Sequence, residues 1–150
     1  MSIISISILI PSLNQKMNDK YMALNLDAYS APFLEKSVIS SQLFSGLADY
    51  NLYFCELKKF LSLNYLYVDE QFSMVNKQID SLWHQFILFT REYQDFCNCY
   101  FGKFIHHSPN LPENDPKIDL SKEKKHAEKF FQLYFMTFGQ PATLWFYDEF

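Results

Sequence analysis

The stretch IDSLWHQFILFTREYQDFCNCYFGKFIHHSP, residues 79–109, has the apolar spacing of a helix over most of its length. At 100° per residue its large apolar side chains fall on one helical stripe. The stripe consists of Ile79, Trp83, Phe86, Thr90, Tyr93, Cys97 and Phe101, with Leu82, Phe89, Phe96 and Tyr100 beside it. This period predicts one long amphipathic helix over about residues 73–101, which Ser73 caps and Gly102 ends. We expect the stripe to face the core, with Trp83 as its anchor.

The opposite side of this predicted helix is polar. Asp80 and His84 are four residues apart, which makes them neighbours on a helix surface. Two further histidines, His106 and His107, follow Gly102. We predict that His84 makes a surface contact with Asp80. We also predict that the later pair bonds the free carbonyl groups at the helix C-terminus.

Helical spacing continues on both sides of this stretch. Apolar side chains recur at steps of three and four over Pro32–Leu61, with a break expected near Gly46. A last helix is expected to begin after a cap at Asp119 or Ser121 and to end at Gly139. The tail behind it should fold back as a short helical turn.

The pattern as a whole contains hardly any strand. It predicts an all-α protein, a compact bundle of about four or five helices around the long helix. The chain has 150 residues, the size of one domain, so we assign 1–150 to a single helical domain. Residues 1–30 are expected to be an irregular N-terminal segment. Within it the apolar run Ile3–Ile10 alternates in part like a strand, so a short strand and a disordered tail are both open there, and the residues from Pro11 onward show little periodicity. Closely spaced prolines exclude regular structure from the loop that precedes the last helix.

Composition excludes several classes of function. The formal charge of -4 provides no basic field for a phosphate backbone, so we predict no nucleic-acid partner. No stretch has the roughly 18 to 20 apolar residues that a membrane-spanning helix needs, so we predict no membrane association. Three cysteines cannot all pair within one chain, which favours a reducing compartment and a cytoplasmic location.

The order and spacing of several residues in this chain resemble the pattern of a known family. The pattern D-x-x-W-H, continuing to Y-x-x-x-C and F-G-x-x-x-H-H-x-P, is similar to that of the glycine-rich domain protein-like family, bacterial and plant proteins of largely unknown biochemistry. The matching positions are Asp80, Trp83, His84, Tyr93, Cys97, Phe101, Gly102, His106, His107 and Pro109. The resemblance carries over no catalytic residues, and the glycine-rich tail of the plant members is missing here.

Histidine, cysteine and carboxylate side chains are the usual transition-metal ligands, so the same residues raise the question of a metal site. A straight helix from His84 to Gly102 would be about 27 Å long. Residues 103–107 can return over at most about 17 Å. His84 and the later histidines therefore cannot share one ion unless the helix breaks, and Cys97 on the core stripe is expected to be a small hydrophobic residue. We predict no metal and no cofactor.

Two hypotheses for the function follow. The first is a small helical protein that binds a partner protein without catalysis, because 19% of the residues are aromatic and interfaces favour aromatic side chains. The alternative is a small metal-binding protein or enzyme that uses Asp80 and His84, with His106 or His107. No G-x-S-x-G or P-loop motif supports a catalytic assignment, and the catalytic residues stay unknown.

Overall fold

The computed structural model describes residues 3–108 and 119–146, with side chains from residue 14 onward. Over these ranges the chain is helical and contains no strand, which confirms the predicted all-α class. Within the described residues six α-helices follow one another: α1 Ile3–Leu24, α2 Pro32–Ser40, α3 Leu47–Leu66, α4 Lys77–Leu88, α5 Thr90–Phe101 and α6 Leu120–Phe138. Two short 3-10 turns span Leu26–Ala28 and Thr143–Phe146. No helix in the described ranges has the length and apolar content of a membrane span.

The expectation of an irregular segment over residues 1–30 is wrong, because Ile3–Leu24 form α1. This helix packs against α6. The ring of Tyr21 meets that of Phe138 edge to face at 4.7 Å between centroids, and the Asn18 amide donates to the Thr137 carbonyl at 3.1 Å. Tertiary packing against α6 thus supports a helix that the weak periodicity of the sequence did not indicate.

Helix α3, and not the predicted 73–101 helix, lies at the centre of the bundle. It contacts α1, α2, α4 and α6. Buried side chains surround its axis instead of forming one stripe, as is typical of an enclosed helix. They are Tyr50, Tyr53, Phe54, Glu56, Leu57, Lys58, Phe60, Leu61, Ser62 and Leu63.

Helix α3 also carries a buried carboxylate, that of Glu56, which has bonding partners at both of its oxygens. Glu56 is 3% exposed. Its Oε2 accepts hydrogen bonds from the Tyr134 hydroxyl at 2.7 Å and from the Trp145 indole at 2.8 Å. Its Oε1 pairs with Lys59 at 3.2 Å. These bonds join α3 to α6 and to the C-terminal turn.

The predicted long helix is two helices. It begins at Lys77, capped by the Asn76 side chain and not by Ser73, and it breaks at Phe89, where φ is -82° and ψ is 69°. The Trp83 indole nitrogen lies 3.0 Å from the Tyr93 hydroxyl. Ten residues of continuous helix would separate these positions by about 15 Å along the axis. The chain therefore folds back on itself at Phe89.

Several local predictions are confirmed. Pro32 is the first residue of α2, and Gly46 lies outside α3 at its start. Asp119 caps α6 by accepting two backbone N–H groups, and the helix ends before Gly139. The tail forms the predicted turn over Thr143–Phe146.

Candidate metal centre

Helix α4 presents two potential ligands on its outer side. Its inner face buries Ile79, Leu82, Trp83 and Phe86. Asp80 and His84 follow one another on the outer side, with side-chain exposures of 21% and 54%. The His84 Nε2 lies 4.0 Å from the Asp80 Oδ2. The two side chains are neighbours on the surface of α4, as their spacing predicted, but a separation of 4.0 Å is too long for a hydrogen bond.

The chain returns to α4 after α5 ends. Gly102 adopts a φ of 67°, a left-handed conformation that L side chains rarely adopt, and its N–H bonds the Asn98 carbonyl. The segment that follows is held by Tyr93, whose hydroxyl donates to the Ile105 carbonyl at 2.5 Å. The same hydroxyl accepts the Trp83 indole N–H. Residues 103–108 are thereby held beside α4.

His107 ends this return and meets α4. Its side chain is 7% exposed, and its Nε2 lies 2.7 Å from the Asp80 Oδ1. Its ring centroid is 4.3 Å from that of Trp83 and 4.2 Å from that of His84. The predicted role of His107 as a cap of the preceding helix is wrong, because the return segment carries it past the helix end to Asp80.

Asp80, His84 and His107 form one cluster of potential ligands. One ligand atom from each lies within 4.8 Å of the other two. Zinc bonds of about 2.0 to 2.1 Å place tetrahedral ligand atoms about 3.4 Å apart. The atoms of His107 and Asp80 are closer than that, at 2.7 Å, and those of His84 and Asp80 are farther apart, at 4.0 Å. The exposed His84 side chain has the freedom to move toward the other two ligands. The arrangement therefore fits a metal with three protein ligands.

His84 and the later histidines were predicted to be too far apart to share one ion unless the helix breaks. The helix does break, at Phe89, between α4 and α5. The bend shortens the distance from Gly102 to His84, so residues 103–107 reach α4. The prediction that no metal is bound rested on this distance and loses its support.

The other predicted site residues do not join the cluster. His106 is exposed, and its ring contacts that of Phe104 at 4.7 Å. Cys97 is buried in the core, as predicted, and burial raises the pKa of its thiol. A protonated thiol is a poor metal ligand. Pro109 lies outside the described residues.

Sequence reasoning did not single out Ile105. This side chain is 4% exposed, and its carbonyl receives the Tyr93 hydroxyl. The available signal was an isoleucine next to two histidines, because isoleucine is among the residue types most often buried. Trp83 and Tyr93, by contrast, belong to the motif and serve as the support of the cluster.

A family model described as UCP032817-like matches residues 24–126, well over half of the chain, and the matched range contains all three residues of the cluster. A search of curated proteins and a search of solved structures found no match. The predicted membership of the glycine-rich domain protein-like family is wrong, since the matching family is a different one. The chain belongs to the UCP032817-like family.

Proposed function

We propose that this member of the UCP032817-like family binds one divalent transition-metal ion, with zinc as the first candidate. The ligands are a carboxylate oxygen of Asp80 and the Nε2 atoms of His84 and His107. One observation carries the proposal: three atoms able to bind a metal, supplied by two separate segments, lie within 4.8 Å of one another.

The donor set fits this class of metal. Imidazole nitrogen suits zinc, copper, iron and nickel, whereas calcium and magnesium prefer sites made of oxygen alone. Three protein ligands leave a coordination position for water or a small molecule. The hydrogen bond between His107 Nε2 and Asp80 Oδ1 uses the atoms that would hold the ion. Metal binding would therefore displace the proton that the two atoms share.

Isothermal titration of the metal-free, untagged protein with zinc tests the proposal. We expect about one equivalent to bind. Asp80→Asn, His84→Ala and His107→Ala should each weaken binding at least about tenfold, because each removes a ligand. The matched control is His106→Ala, which removes the exposed neighbour of His107 and should leave the dissociation constant unchanged. Absence of binding, or equal weakening by His106→Ala, would contradict the proposal.

Binding of a partner protein is a second candidate function. Phe135 on α6 and Phe146 in the C-terminal turn are 54% and 55% exposed. The Phe146 ring stacks on that of Phe131 at 5.2 Å with an interplanar angle of 5°. Exposed aromatic side chains are enriched at protein interfaces. Most of the aromatic residues lie in or against the core, however, and are not free to contact a partner. The high aromatic content of the sequence is therefore weaker support for partner binding than we expected from the sequence.

Substitution of the exposed aromatic residues tests this second function. Once a partner has been purified, Phe135→Ser and Phe146→Ser should weaken its binding by about tenfold or more, as expected for interface aromatics. Leu88→Ser is the matched control, because Leu88 is exposed on α4. Equal affinities for all three variants and the wild type would contradict a role for this surface.

We propose that the protein is located in the reducing cytoplasm. We further propose that it consists of one domain and that it has no nucleic-acid partner. The three cysteines support this location because all are free. One continuous cluster of buried residues that includes members of all the helices supports the single domain. The net charge of -4 supports the absence of a nucleic-acid partner.

A further inference from the structure

We infer that the hydroxyl group of Tyr93 is a positioning group for the metal ligand His107, and that it tunes the affinity of the site without touching the ion. The inference rests on the proposed function, which it deepens. It follows from two hydrogen bonds and two ring contacts around one buried tyrosine.

The Tyr93 hydroxyl joins the two segments that build the cluster. Tyr93 lies on α5 and is fully buried. Its oxygen accepts the indole N–H of Trp83 on α4 at 3.0 Å. Its proton goes to the carbonyl of Ile105 in the return segment at 2.5 Å. One hydroxyl therefore connects α4, α5 and the return segment.

Both partners of this hydroxyl lie next to His107. Ile105 lies two residues before His107, and its carbonyl is fixed by the Tyr93 hydroxyl. Two residues of chain span at most about 7 Å, so the backbone of His107 must lie within about 7 Å of this fixed point. The Trp83 indole contacts the His107 ring directly, at 4.3 Å between centroids. A histidine on a non-helical segment is thus constrained through its backbone on one side and through its ring on the other.

The hydroxyl and the ring of Tyr93 have separable roles. The ring packs edge to face against Phe86 at 5.0 Å and against Phe104 at 5.2 Å. A phenylalanine keeps these contacts. It leaves the Trp83 N–H and the Ile105 carbonyl without their shared partner, in a buried place where an unpaired polar group is costly. The return segment would then shift to solvate them, and His107 would move with it.

A double-mutant cycle on the zinc dissociation constant tests the inference. Tyr93→Phe should weaken zinc binding about tenfold, the lower end of the range for groups that support metal ligands. In the His107→Ala background, titrated at higher zinc concentrations, the same substitution should change the dissociation constant by less than about twofold. The loss depends on His107 because the hydroxyl acts only through that ligand.

Tyr134→Phe is the matched control. Tyr134 is also a buried tyrosine, and its hydroxyl bonds Glu56 away from the cluster. It should lower the melting temperature and leave the zinc affinity of the wild type unchanged. If Tyr93→Phe does not fold, Trp83→Phe removes the other end of the same hydrogen bond. It should show the same dependence on His107.

The outcomes separate this inference from the proposed function. Zinc binding by the wild type with unchanged affinity in Tyr93→Phe would overturn the inference alone. Equal weakening in the two backgrounds, or by Tyr134→Phe, would overturn it as well, since a general loss of stability would then explain the effect. A wild-type protein that binds no zinc would overturn both.

Discussion

Two carboxylates in this molecule, Glu56 and Asp80, both join helices to other segments but differ in burial and in the chemistry of their partners. Glu56 is buried, and its partners are a phenol, an indole and an ammonium group. Asp80 is partly exposed, and its partners are two imidazoles. Phenol O–H, indole N–H and ammonium groups serve here as donors, whereas a neutral imidazole also offers a lone pair to a metal.

The role of each carboxylate follows from its partners and from its exposure to solvent. Glu56 ties α3 to α6 and the C-terminal turn, and it is enclosed. Asp80 lies where α4 meets the return segment, beside His84, whose side chain is half exposed. The Glu56 cluster therefore stabilises the fold, while the Asp80 cluster is the one that we propose binds a metal. Substitutions in the two clusters test this division between a structural and a metal-binding cluster.

Trp83→Ala should have the largest effect, because Trp83 belongs both to the core and to the support of the Asp80 cluster. The side chain is 5% exposed and contacts Phe60 and His107. Removal of a large buried aromatic costs about 3 to 5 kcal/mol. Chemical denaturation measures the change. A loss below about 1 kcal/mol would place Trp83 outside the core.

Glu56→Gln should lower the free energy of unfolding by about 2 kcal/mol, since it replaces charge-assisted hydrogen bonds and turns one acceptor into a donor. Zinc affinity should not change, because Glu56 belongs to the other cluster. Denaturation and titration of the same sample measure the two quantities. A substantial loss of zinc affinity would show that the two clusters are coupled and would break the division.

Gly102→Ala should cost about 1 kcal/mol, because alanine in the left-handed conformation is strained. The φ of 67° creates this strain, and a Cβ at this position would meet no atom within 4 Å. Thermal unfolding measures the loss. Gly102→Asn is the control: asparagine tolerates this conformation better than most residues, so it should lose less. Equal losses would mean that side-chain crowding, and not backbone strain, sets the cost.

Much of this fold could be predicted from the sequence, and the exception is instructive. The stripe of α4 and α5 was recognised correctly, but the break at Phe89 was not. From Phe86 to Tyr93 is seven residues, which returns a helix to within about 20° of the same direction. The apolar period therefore continues across the break. No glycine or proline marks Phe89 either, so only tertiary contacts reveal that the chain folds back there.

The motif contains the residues of the cluster, but the sequence led to a prediction of no metal and did not predict that these residues meet. Asp80, His84 and His107 all belong to the motif, and their residue types indicated metal chemistry. Their meeting depends on the break at Phe89 and on the bond between Tyr93 and Ile105, which join positions distant in sequence. A local pattern contains no information about such contacts.

His84→Ala should have the smallest effect on stability, within about 0.5 kcal/mol, because an exposed helix-surface contact contributes little. Its effect on zinc affinity should nevertheless be large. Denaturation of the metal-free protein measures the first quantity. A stability loss above about 2 kcal/mol would mean that His84 is a structural element like Glu56.

The central claim is that His84 and His107, from separate segments, bind the same ion. X-ray absorption at the zinc edge of the zinc-loaded protein tests it most directly, because scattering from imidazole rings allows the histidine ligands to be counted. We predict two imidazoles together with oxygen ligands, at bond lengths of about 2.0 to 2.1 Å, and one imidazole in His84→Ala. A single imidazole in the wild type, or a sulfur ligand, would contradict the claim.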